Sequence, residues 1–148
     1  MHEKFDFTGG STPLLVSLPH GGTYIPDTIA NRMTAVALET PDTDWHVDRL
    51  YAFARERGAT MIASTHSRYV IDLNRAPDNK PLYPGADNTE LCPLTTFDHE
   101  PIYLPGQGPD QAEIARRIAQ FWQPYHDTMA AEIARLRAEH DAILVWDG

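Results

Sequence analysis

Leu14-Leu15-Val16-Ser17-Leu18 is a short, largely apolar run closed by Pro13 on one side and by Pro19-His20-Gly21-Gly22 on the other. That is the pattern of a buried strand ending at a sharp turn. Glycine, proline and threonine then interrupt the pattern as far as Asp42, with a short helix expected over residues 29–38. Residues 44–57 predict a helix with Trp45, Leu50, Phe53 and Ala54 on one stripe and Gly58 as its stop. Two further strands are expected at 59–64 and 69–73, joined by a tight hairpin or forming one long bent strand. The stretch 76–108 is rich in proline and glycine and carries little periodicity; irregular segments of that length are often functional. From Asp110 the apolar residues Ile114, Ile118, Phe121, Trp122, Tyr125, Met129, Ile133 and Leu136 recur in three- and four-residue steps, one helix face, which Pro124 should kink or divide. Residues 141–147 predict a last strand. The alternation of strands and helices gives an α/β class with a mixed, mostly parallel sheet flanked by helices.

Composition narrows this picture. The 148 residues suit one domain with its own core. A net charge of -9 argues against a nucleic-acid partner, which requires a basic face, although one or two arginines can reverse the sign inside a pocket. No apolar run approaches a membrane span, and the first residues lack the apolar core of a signal peptide. Cys92 is the single cysteine, so no internal disulfide forms and a reducing cytoplasm is the expected location; the thiol reads as structural.

Three clusters carry candidate chemistry. His20 at a strand end reads either as a metal ligand or as a turn histidine bonded to a carbonyl. Asp42, Asp44, His46 and Asp48 crowd one short segment. There the acids act as helix caps, or one of them joins His20 on a divalent cation. Arg68, Asn74 and Arg75 bracket a short apolar stretch containing Asp72. The planar forks of the two arginines suit capture of a carboxylate, with Asn74 adding neutral donors, or the arginines pair with the chain's own acids.

The stretches SLPHGGTYIP, DTDWHVDRLY, SRYVIDLNRAP, LYPG, Leu91-Cys92-Pro93, FDHEPIY, FWQPYHDTM and ILVWDG resemble, in order and over nearly the whole chain, the N-formylglutamate amidohydrolases of histidine degradation. The resemblance implies a fold similar to zinc carboxypeptidases and aminoacylases, with one divalent metal, zinc or alternatively cobalt. It implies hydrolysis of N-formyl-L-glutamate to formate and L-glutamate. His20 and Asp44 then look like metal ligands, Asn74-Arg75 like the carboxylate-binding pair, and Arg68 like a second anion contact. In the family the strand ending Trp-Asp continues to a His-Ser pair whose histidine resembles the last ligand, whereas this sequence stops at Gly148. The expectation is therefore a single incomplete domain over 1–148, with the catalytic base and third ligand unassigned and poor solubility on its own. Two alternatives stay open: a binding module with an anion site but no competent metal site, and an amidohydrolase of the same fold for another N-acyl amino acid. For the metal assignment to hold, His20 and Asp44 should approach within about 5 Å at the carboxyl edge of the sheet.

Overall fold

The computed structural model describes residues 3–80, 84–85 and 88–148; Leu82 and Tyr83 of the LYPG stretch lie outside them. A four-stranded sheet is built from β1 (Phe5–Thr8), β2 (Leu14–Leu18), β3 (Thr60–Ser64) and β4 (Leu144–Asp147), in the order β1-β3-β2-β4. β2 runs parallel to both β3 and β4, while β1 is antiparallel to β3. The sheet is thus mixed and mostly parallel, as the pattern of elements predicts. The alternating Phe5-Asp6-Phe7-Thr8 segment adds an edge strand that the sequence reading leaves out. Phe5 points inward and meets Tyr125 edge-on at 5.7 Å, which is why this short edge holds.

Each face of the sheet has its own core, because alternate side chains of a strand point to opposite faces. Val16, Leu18 and Met61 pack with Val47 and Ala54 of the short helices α3 (Val47–Leu50) and α4 (Ala52–Glu56), introduced after α1 (Asp27–Ala30) and α2 (Ala35–Leu38). Leu15 and Ile62 face the other way, into the larger core with Phe121, Tyr125 and Leu136. That core is covered by α5 (Gln111–Arg117), a π-helical turn over Ile118–Trp122, and α6 (Gln123–Glu139). Every residue of the predicted long stripe is buried in this core or packs against it. Pro124 divides the helix as expected: it has no N–H to donate, and the wider π turn falls immediately before it.

Three expectations need correction. Residues 69–73 form no strand. Tyr69, Val70, Ile71 and Leu73 are all buried, but their backbone turns, with the Val70 amide donating to the Ser67 carbonyl and the Asp72 amide to the Leu91 carbonyl. An apolar run signals burial before it signals a ladder. The helix expected at 44–57 begins only at Val47, after His46 takes a left-handed φ of 62°, and is interrupted at Tyr51. Its buried residues are Val47 and Ala54, whereas Trp45, Leu50 and Phe53 are exposed. The helix expected at 29–38 is two separate turns, α1 and α2, parted around Met33, which pairs with Tyr103 across an isolated bridge.

Candidate active site

β2 delivers His20 to the carboxyl edge of the sheet, and the two glycines after it allow the chain to turn there. A Cβ on Gly22 would lie 2.4 Å from the His66 carbonyl oxygen, and one on Gly21 would lie 2.8 Å from Val47. The Asp44 amide donates to the His20 carbonyl at 3.1 Å, so the segment before α3 is tied to the strand end. The imidazole is then held between two carboxylates: Nε2 is 2.7 Å from Asp72 Oδ1 and Nδ1 is 3.5 Å from Asp44 Oδ2.

Asp72 is almost fully buried. Burial opposes its charge, but the hydrogen bond and charge of His20, the Arg68 guanidinium at 2.7 Å and the Asn74 amide at 2.9 Å outweigh it and hold the carboxyl below its ordinary value. An ionised Asp72 makes Nε2–H the donor, so in the neutral form of the ring the Nδ1 lone pair is turned toward Asp44. Two acceptors then face one another, a pair that a proton or a metal cation between them would satisfy. A carboxylate behind a ligating histidine is also the usual support of a metal ligand. The donor chemistry of His20 and Asp44 therefore fits part of a cation site. Catalytic zinc takes three protein ligands, and no group of three metal-ligating side chains occurs among the described residues.

A cavity of about 280 Å³ opens beside His20. Arg68, Asp72, Asn74 and Arg75 line one wall, and Thr95, Thr96, Phe97 and His99 contribute to another. Arg68 is committed to Asp72 and lies under the Phe97 ring at 4.7 Å. Arg75 differs. It is nine-tenths buried, yet its guanidinium has no acid or hydrogen-bond acceptor among the described residues. Asp147, ending β4, sits near His20; burial raises its carboxyl above the ordinary value, opposed by His20, Asn74 and Ser17.

The model of the N-formylglutamate amidohydrolase family matches residues 12–148. The chain belongs to that family. It is 44% identical over 147 residues to an N-formylglutamate deformylase of Pseudomonas putida and 47% identical to one of Pseudomonas aeruginosa. Each alignment covers 99% of this chain and 55% of the relative, so the chain spans about half the length of the curated relatives it matches. Among solved structures, N-formylglutamate amidohydrolase from Ralstonia eutropha superposes with a TM-score of 0.79 at 27% identity, over 97% of this chain and 55% of that one. A gene product of Agrobacterium tumefaciens shares the fold, with a TM-score of 0.72 at 20% identity, over 99% of this chain and 56% of that one.

Within this member of the family, the residues singled out by sequence fall into two groups. His20, Arg68, Asn74 and Arg75 line one cavity, and Asp44 reaches His20 from its rim. Asp42, His46 and Asp48 do other things. Asp42 accepts hydrogen bonds from the Tyr69 hydroxyl at 2.7 Å and the Phe97 amide at 3.0 Å, pinning the loop that carries Phe97. His46 and Asp48 are exposed. Cys92 is buried, and burial pushes its thiol up to about 11. Sequence reasoning saw Asp72 only as an ion-pair partner and did not separate Thr95, Thr96, Phe97 and His99 from the irregular stretch around them. The FDHEPIY stretch was the one signal for Phe97 and His99, and Thr95 and Thr96 had none.

Proposed function

We propose that this chain forms the substrate-recognising part of a cytoplasmic amidohydrolase that converts N-formyl-L-glutamate and water to formate and L-glutamate. The observation that carries the reading is Arg75, a buried guanidinium facing a small cavity without an acid partner among the described residues. A buried charge left unpaired is costly, and a substrate carboxylate supplies the partner in a bidentate fork. Asn74 offers neutral donors alongside, and Arg68, with one nitrogen already engaged by Asp72, adds a weaker second contact on the same wall. The activity named for the family and its relatives supports a glutamate carboxylate as that anion.

In the reaction, Arg75 and Asn74 hold the glutamate moiety so that its formamide lies toward His20, converting binding into orientation. Asp72 fixes the ring of His20 through Nε2, so Nδ1 is the atom that would meet a cation. A divalent cation, zinc or cobalt, held by His20 Nδ1, Asp44 and a further ligand would supply a water acidified toward neutrality and a polarised formyl oxygen. Water adds to the formyl carbon, the C–N bond breaks, and the amine leaves with a proton.

Formate release from N-formyl-L-glutamate tests this. The assay compares the chain with a version carrying whatever residues its reading frame adds after Gly148, each with added zinc or cobalt. Activity in the longer form that falls sharply with Arg75→Ala is expected. No formate from either form would overturn the reading.

A further inference from the structure

The stretch FWQPYHDTM has no place in the chemistry above, yet it touches the site from behind. Asn74 and Arg75 sit on backbone that belongs to no sheet, so their carbonyl neighbours need other donors. Two side chains provide them. Trp122 Nε1–H donates to the Arg75 carbonyl at 2.9 Å, and His126 Nε2 lies 2.8 Å from the Leu73 carbonyl. These carbonyls stand on either side of Asn74. The two rings stack on each other with centroids 3.8 Å apart and planes 28° from parallel, so each fixes the other's direction.

The helix is built to allow this. Trp122 closes the π turn and His126 lies four residues on, which places both on one face. The extra residue of the π turn shifts the phase of the helix before it by about 100° relative to the helix after it. Burial keeps the His126 imidazole below its ordinary value, hence neutral and with a single ring N–H for the Leu73 carbonyl. On the loop's other side, the Asn74 and Arg75 amides both donate to Asp72.

We propose that Trp122 and His126 are positioning residues, a stacked clamp that sets how Asn74 and Arg75 face the cavity. The proposal rests on the reading of Arg75 as the anion contact for its functional meaning, and on the two hydrogen bonds for its structure.

Hydrogen–deuterium exchange of the whole chain, followed by mass spectrometry, separates the two. His126→Leu and Trp122→Phe remove one donor each while keeping bulk; His126→Gln keeps a side-chain N–H. The amides across 73–75 should exchange about fivefold faster in the first two variants, with α6 unchanged. His126→Gln should stay within about twofold of the parent. Equal exchange at 73–75 in all forms would overturn the clamp, and so would acceleration spread evenly through α6, which marks a packing role. Adding N-formyl-L-glutamate or L-glutamate supplies the second arm. Protection of 73–75 in the parent, needing about tenfold more ligand in His126→Leu, supports the positioning role. No protection in the parent counts against the anion site, while the ligand-free comparison still decides the clamp.

Discussion

At the scale of single residues, Arg68 and Arg75 show how one side-chain type serves two ends. Arg68 neutralises buried Asp72 and is capped by Phe97, so its charge is largely spent inside the protein. Arg75 keeps its charge for the cavity. In an active form, Arg75→Ala should lower kcat/KM by about 10- to 100-fold, the range for a lost charged hydrogen-bond pair, with KM raised and kcat reduced together. Steady-state kinetics checks this; unchanged constants would leave Arg75 a purely structural group. Cys92 gives a simpler test. With its thiol pushed up to about 11 by burial, it should react with Ellman's reagent at pH 8 only in denaturant. Rapid native labelling would show that the core around it opens. The sequence made Arg75 visible as a candidate but left its partner open, since an arginine near many acids reads equally well as an internal ion pair. Only the surroundings show that Asp72 goes to Arg68.

At the scale of elements, α5 is fastened by one carboxylate. Glu113 accepts from Arg32, beyond α1, and from Arg117 one turn on, while Asp110 caps the helix by accepting from the Glu113 amide. Burial alone would raise the Glu113 carboxyl, but the hydrogen bonds from Arg32 and Arg117 outweigh it and hold it below its ordinary 4.5. The folded value therefore lies under the unfolded one, so the stabilisation is complete above about pH 4.5 and is lost as pH falls through the folded value. Glu113→Gln should lower Tm by about 3–6 °C at neutral pH, and the gap should close as the pH is taken below 4. Parallel melting curves at every pH would refute the linkage. The helical run from α5 through the π turn to α6 was the most legible part of the chain, because eight apolar residues on one stripe leave little choice of face. The 69–73 segment was the least legible. Its burial comes from packing on all sides, and four buried side chains in a turn look in sequence like four in a strand. The helix at 44–57 misled for a related reason: in so small a helical layer, Val47 and Ala54 suffice to cover the sheet, and the larger apolar residues are left outside.

At the scale of the whole molecule, the two faces of the sheet are covered unequally. α5 and α6 close one face, but α3 and α4 together offer nine residues to the other and seat on β2 and β3. β4 pairs with β2 on one side only and ends the sheet. Leu144 lies beside Leu14 and Trp146 beside Val16, so both point to the thinly covered face, and about half of each is exposed. Trp146 is tethered there by its indole N–H to the Tyr51 hydroxyl at 2.9 Å, and Phe53, also exposed, stacks on Tyr51. An open parallel edge next to exposed Leu144, Trp146 and Phe53 combines unpaired backbone groups with apolar surface, the two ingredients of edge-to-edge association. This chain should therefore self-associate at micromolar concentration, and sedimentation velocity should show a concentration-dependent mean mass. Leu144→Lys places a charge on that edge without touching the core, so it should shift the distribution toward monomer while Tm stays within about 2 °C. A net charge of -9 works against association, so raising the salt concentration should strengthen it. A parent chain that sediments as a single monomer across the concentration range would mean that the β4 edge is shielded well enough by its own side chains, with Trp146 folded onto Tyr51 as the cover.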